Sequence, residues 1–194
     1  MSEKNLTILA VILILIISII SFLFSPYFEI RNIEIIGSNK ISQNYIRKNI
    51  HVYLNNNIWL VNTEDIKYKL SQNNFIKDLE IMKKFPDKIK INIQERIPLA
   101  KINNDGHYLT FNKNGFIIKK GAVHDFKVPE IKGVAYSFKN NNIIFPSDFS
   151  DIVQALNKIN PEKRKFLKTI IKKEKKIELY IKENIKVNLG SMKK

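Results

Sequence analysis

Apolar and polar positions change their pattern twice along this chain. Leu6 to Phe24 is an uncharged run, LTILAVILILIISIISFLF, whose polar members are Thr7, Ser18 and Ser21. At a rise of about 1.5 Å per residue it covers about 30 Å, the hydrocarbon thickness of a bilayer. A helix satisfies its own backbone in lipid, and Ser25-Pro26 ends it. The run is longer than the apolar part of a cleaved signal peptide, and Phe22-Leu23-Phe24-Ser25-Pro26 offers no small-x-small cleavage site. The reading is an uncleaved signal-anchor over 6–24 behind a stub of residues 1–5. Flanking charges do not decide its orientation, and an N-terminus in the cytoplasm is the default for such an anchor.

After Pro26 the pattern alternates between periods. Phe28-Glu29-Ile30 and Ile33-Glu34-Ile35 read as a strand bulged at Arg31-Asn32. Gly37-Ser38-Asn39-Lys40 is a turn, and Ser42 caps a helix whose staple pairs Ile41 with Ile46. Ile46 and Ile50 form the apolar face of that helix. A second helix starts at Asn62 or Thr63, with Glu64 and Asp65 at its positive end and Ile66 and Leu70 on its buried face. Leu79 and Ile81, then Ile89, Ile91 and Ile93, alternate with polar neighbours in two strands. Phe85-Pro86-Asp87-Lys88 turns between them, because Pro86 has no place in a paired strand. The order β-α-α-β-β defines one α+β unit.

These residues carry a family resemblance. The stretch from Lys84 through Phe85-Pro86, Ile89, Ile91 and Glu95-Arg96 to Pro98 and Ala100 resembles the "FP…I.I.ER.P.A" motif of the bacterial cell-division family FtsQ/DivIB. Phe28, Ile30, Ile33, Ile35, Gly37-Ser38-Asn39 and Ile41-Ser42 are similar to that family's "F.I..I.I.G...IS" opening. The resemblance implies a POTRA domain directly after a signal-anchor, with Phe85, Pro86, Glu95, Arg96 and Pro98 as structural motif residues.

A third stretch reads as β-rich. Leu99–Ile102 and Tyr108–Phe111 flank the hairpin signal Asn103-Asn104-Asp105-Gly106, and Asn112–Gly115 turns into Phe116-Ile117-Ile118. Val128-Pro129-Glu130-Ile131-Lys132-Gly133 resembles the family's "LP.I.G", while Asn112 stands where the family usually has an acid. A helix from about Asp148 has an apolar stripe at Ile152, Ala155, Leu156 and Ile159. Strands follow at Thr169–Ile171, Ile177–Ile181 and Ile185–Leu189, with Glu183-Asn184 between the last two. Family members usually continue into another helix and a final strand that pairs with a partner's strand. The expectation is therefore that Ile185, Lys186, Val187, Asn188 and Leu189 form a terminal strand open to strand addition, with Ile185, Val187 and Leu189 on one face.

Composition narrows the chemistry. Cysteine is absent, which excludes disulfides, thiolate metal sites and cysteine nucleophiles. The net charge is +15, yet Ile, Asn and Lys dominate throughout, so composition explains the excess better than an electrostatic partner does. Pro161 to Lys176 sets eight Lys or Arg against Glu162 and Glu174. Its functional reading is a weak contact with anionic wall polymer or lipid, and the favoured reading is a solvated surface. His51, His107 and His124 lack metal-ligand spacing, and there is no phosphate loop or nucleophile elbow. Glu95 and Arg96, adjacent in a strand, point to opposite faces and do not make a catalytic pair. Trp59 reads as core or helix packing.

The sequence therefore predicts an α+β protein: a single transmembrane helix (6–24), a POTRA-type β-α-α-β-β domain (28–96), a β-rich domain with one main helix (97–190) and a tail (191–194). No catalytic, cofactor-binding or metal residue is assigned, and no cofactor or nucleic acid is expected. The resemblance implies a non-enzymatic scaffold in the cell membrane at the division septum, with its bulk extracytoplasmic. Its implied partners are bitopic division proteins of the FtsL and FtsB/DivIC kind and the septal peptidoglycan synthase complex. The alternatives are a POTRA adaptor for envelope protein assembly and a wall-associated enzyme.

Overall fold

The computed structural model describes residues 3–122, 126–173, 176–181 and 185–191, and the side chains of 188–191 are not among the described atoms. The readings on His124, Glu174, the Glu183-Asn184 turn and the tail beyond Ser191 lie outside the described residues. The chain divides into two compact units, Met1–Glu95 and Arg96–Lys194.

Unit 1 opens with α1 (Glu3–Leu23), in which no residue is buried. A helix that is apolar all round and buries nothing in protein has lipid as its solvent. A 3-10 turn at Pro26–Phe28 precedes β1 (Asn32–Ile36). Two helices, α2 (Gln43–Ile50) and α3 (Thr63–Ser71), and two strands, β2 (Ile76–Lys84) and β3 (Lys88–Glu95), complete it. The sheet order is β1-β3-β2, with β3 parallel to β1 and antiparallel to β2. Ser42 caps α2 as expected, its Oγ accepting from Asn44 N, and α3 is capped by Asn62, whose Oδ1 accepts from Glu64 N. Ile46, Ile66 and Leu70 meet Ile89 and Ile91 in the core, each with no exposed surface. Each such side chain contributes about 1.5–3 kcal/mol by leaving water.

The first expected strand is shorter than the alternation suggests. Phe28–Ile30 lies outside β1 and pairs instead with the loop at 55–58: Ile58 N donates to Phe28 O, Ile30 N to Asn56 O and Asn55 N to Ile30 O. The backbone needs partners, and this loop supplies them before the sheet begins. Arg31 and Asn32 then both donate to the carbonyl of Asp87.

Unit 2 holds β4 (Ala100–Asn104), β5 (His107–Phe111), β6 (Ile117–Gly121), β7 (Glu130–Lys132), β8 (Ser137–Lys139) and β9 (Asn142–Ile144). It continues with α4 (Ser147–Lys158), α5 (Pro161–Arg164), β10 (Leu167–Lys173), β11 (Lys176–Ile181) and β12 (Lys186–Ser191). Among the described residues its main sheet has the order β12-β11-β10-β7-β4-β5-β6, and β8-β9 form a separate ribbon. Asp105 and Gly106, both at positive φ, make the two-residue turn of the β4-β5 hairpin. Gly133 has φ +72°, and a Cβ there would lie 2.3 Å from Lys172 O, so glycine alone lets the chain leave β7 beside β10.

The buried stripe of α4 differs from the expected one. Phe149, Val153 and Leu156 face the core, Ile152 and Ile159 are half-buried, and Ala155 is exposed. The helix turns its largest side chain, Phe149, inward against Phe145, and the smaller Ala155 moves outward. Burying more apolar area decides between two stripes of the same spacing.

Candidate functional site

The expected terminal strand stands at one end of the main sheet, paired with β11 in an antiparallel register. It starts at Lys186. Ile185 precedes it, half-exposed, and its carbonyl accepts from Ile181 N. Lys186 lies opposite Tyr180, and Asn188 lies opposite Glu178. Those positions share a face, on which Glu178 collects three partners. Lys186 Nζ reaches Glu178 Oε1 at 2.8 Å, Lys173 Nζ reaches Oε2 at 3.3 Å, and Tyr180 Oη donates to Oε2 at 3.1 Å. The Lys186 ammonium is the main cause that holds the Glu178 carboxyl at about 2, and the Lys186 pKa is raised in return. Sequence reading placed Lys186 in the terminal strand and missed its acceptor, because Glu178 meets Lys186 through strand register. Val187 is half-buried, and the side chains of Asn188 and Leu189 lie outside the described atoms.

The motif residues have structural work, each within its own unit. Glu95 ends β3 and curls onto the turn before α2. Its Oε1 accepts from the backbone N–H groups of Asn39, Lys40 and Ile41 at 2.9, 2.8 and 2.9 Å, and Oε2 from Lys40 at 3.0 Å. This is a backbone nest closed by a carboxylate. Gly37, at φ +84°, begins that turn, and a Cβ on it would lie 2.2 Å from Ile93 O. Arg96 begins unit 2 and lays its guanidinium over the Phe116 ring, 4.0 Å from the centroid. Burial lowers its pKa. Pro98 offers its carbonyl to the buried Arg164, whose Nη1 lies 3.4 Å away and whose Nη2 donates to Ile159 O at 3.2 Å. The Phe85–Pro86 peptide is cis, and Phe85 packs on Trp59 with centroids 4.2 Å apart.

Of the two readings of Trp59, core or helix packing, the first does not hold: it is 48% exposed. Phe85 and Phe28 pack against its indole. Asn112, where the resemblance led to the expectation of an acid, holds the turn that follows it. Its Oδ1 accepts from Asn114 N and Phe116 N, a task that needs an acceptor oxygen and no charge.

The basic run from Pro161 is partly internal. Arg164 is buried, Lys165 pairs with Glu162, Lys172 with Asp148 and Lys173 with Glu178. That pairing favours the solvated-surface reading over a polyanion site. Lys101 was not singled out as a buried charge. Burial lowers its pKa while Glu130, opposite it in β7, raises it. Among the described residues no group of three His, Asp or Glu side chains is placed to hold a metal ion.

Comparison with known proteins follows this geometry. Residues 28–96 match the family model of the POTRA domain of FtsQ type. Cell division protein DivIB of Clostridium tetani is 29% identical over 56% of this chain and 42% of its own length. DivIB of Clostridium botulinum (strain Hall) is 30% identical over 70% and 54%, and DivIB of Staphylococcus aureus (strain NCTC 8325) is 26% identical over 86% and 37%. The chain spans about half the length of the curated relatives it matches. An apolar helix that buries nothing, followed directly by a POTRA unit, defines a single-pass, membrane-anchored POTRA protein. The POTRA unit is of FtsQ type, and the chain is similar to the DivIB cell-division proteins.

Proposed function

We propose that this protein is a scaffold of the bacterial division septum, anchored by α1 with its N-terminus in the cytoplasm and its folded units outside. The observation that carries the reading is the FtsQ-type POTRA unit at 28–96, joined to a helix that ends at Leu23, in a chain whose relatives are DivIB proteins. Its work is to hold bitopic division proteins of the FtsL and FtsB/DivIC kind together, and to help recruit or regulate the septal peptidoglycan synthase. Tethering the partners to one membrane raises their effective concentration, so weak contacts suffice. The reading is non-enzymatic. In its support, the carboxylate of the Glu95-Arg96 pair is engaged by three backbone N–H groups, and the Arg96 guanidinium lies on Phe116.

Residues 185–189 are the proposed docking strand, because β12 stands at an end of the sheet order. An added strand would gain main-chain hydrogen bonds there. Crosslinking and affinity purification of the intact membrane protein from dividing cells test the reading: recovery of the bitopic division proteins is expected. Hydrogen exchange of the 185–189 amides tests the strand. Slowing by a saturating FtsB/DivIC-like partner is expected, and unchanged exchange would move the docking site elsewhere.

A further inference from the structure

A run of aromatic rings leads out of the span and across unit 1. Phe22 in α1 lies 5.3 Å from Phe28, Phe28 lies 5.8 Å from Trp59, and Trp59 lies 4.2 Å from Phe85, all between ring centroids. Phe28 is buried, but Trp59 and Phe85 are half-exposed, and Leu60 beside them is 68% exposed. A cluster of large exposed apolar groups on a folded unit marks a binding surface.

The loop that carries Trp59 and Leu60 is fastened to the end of the span. Asn57 Nδ2 donates to the carbonyl of Leu23 at 2.7 Å, and Ile58 N donates to Phe28 O at 2.8 Å. The uncharged run ends at Phe24, so this loop is held where hydrocarbon gives way to headgroups. That layer is about 5–7 Å deep on each side. Tryptophan prefers this layer, with its ring among glycerol and upper acyl groups and its N–H toward water.

Charge completes the face. Lys83 Nζ donates to the carbonyl of Trp59 at 3.3 Å. Beside Phe85, Lys84 and Lys88 stand directly opposite each other in the β2-β3 register. Like charges so placed repel unless an anion lies between them. Both are exposed, and among the described residues neither is in an ion pair.

We propose that Trp59, Leu60 and Phe85, with Lys84 and Lys88, seat unit 1 in the interfacial layer of the bilayer that its own helix crosses. The rings lie below the phosphates, and the two lysines bind anionic phospholipid headgroups. The seat fixes how the POTRA unit stands on the membrane. It requires only that the unit follow the span directly, so it holds whichever side of the membrane the unit occupies.

The test uses the intact chain, whose single tryptophan is Trp59 itself. The protein is reconstituted in vesicles of equimolar phosphatidylglycerol and phosphatidylcholine, with spin labels placed near the headgroup or at the acyl-chain end. Headgroup-proximal labels are expected to quench Trp59 emission about twofold and deep labels weakly, the signature of an interfacial ring. Replacing both lysines (Lys84→Glu with Lys88→Glu) should return quenching to its value in pure phosphatidylcholine, since each lysine favours the seated state about fivefold on an anionic surface. Leu60→Asp should reduce quenching in both lipids, with circular dichroism confirming that each variant folds. Free quenching of wild-type Trp59 by aqueous iodide and by neither lipid label would overturn the proposal and leave the face open to a protein partner. Undiminished quenching in the lysine variant would overturn the assignment of the headgroup contact.

Discussion

The carboxylate of Glu95 places both of its oxygens on the backbone N–H of Lys40, at 2.8 and 3.0 Å. With Asn39 and Ile41 also donating to it, the last residue of β3 closes the turn that launches α2. Glu95→Ala is expected to lower stability by about 2 kcal/mol, and Glu95→Gln by about half of that, because hydrogen bonds to a charged acceptor are the stronger kind. Hydrogen exchange of the 39–41 amides should quicken in both variants. Arg96→Ala should leave those amides unchanged, and equal quickening there would contradict the division of labour within the motif.

The phase of β3 gives a second expectation. Ile91 has no exposed surface, whereas Lys90 is half-exposed and faces Glu34 at 4.0 Å. Ile91→Asp should unfold unit 1, since an unpaired buried charge costs several kcal/mol against a total stability of about 5–15 kcal/mol. Lys90→Asp loses a weak exposed pair and sets two carboxylates opposite each other, a cost of about 1 kcal/mol or less. Thermal melts of the two variants should differ widely, and coincident melts would show that the strand faces are misassigned.

Glu178 makes the outer strands sensitive to acid. Its folded pKa, about 2, lies below the ordinary value of 4.5, so its contribution is present in full above 4.5 and is lost as the pH falls toward 2. Glu178→Gln should therefore speed amide exchange in β11 and β12 at pH 6 and have little effect at pH 2. A difference that persists at pH 2 would locate the effect in packing rather than in the Lys173–Glu178–Lys186 cluster.

Most of unit 1 was legible in the sequence because its signals are local. The cap at Ser42, the acidic first turn at Glu64 and Asp65, the 3.6-residue spacing of Ile46 and Ile50, and the strict alternation of Ile89, Ile91 and Ile93 all act within a few residues. What was missed depends on distant partners. Phe28–Ile30 alternates like a strand, but the 55–58 loop claims its backbone. Trp59 read as core or helix packing, but its ring, set against Phe28 and Phe85, is half-exposed. Val153 and Ala155 fit rival stripes of one helix, and the packing of Phe149 settled the phase. Of the candidate docking strand, the segment was legible and the register was not. Glu178 reaches Lys186 through pairing that no spacing rule reveals.

Topology follows from the proposed orientation of α1. A reporter fused after Asn103 that works only in the cytoplasm should be silent, and one that works only outside should be active. The opposite pair of results would invert the anchor and remove the folded units from the septal wall space.

The central claim is that this chain acts in division. The most direct measurement is time-lapse microscopy of cells in which the only copy is a fluorescent N-terminal fusion that can be depleted. The fusion is expected to gather at midcell before constriction, and depletion should give cells that grow without dividing. Uniform membrane fluorescence together with normal division after depletion would contradict the account.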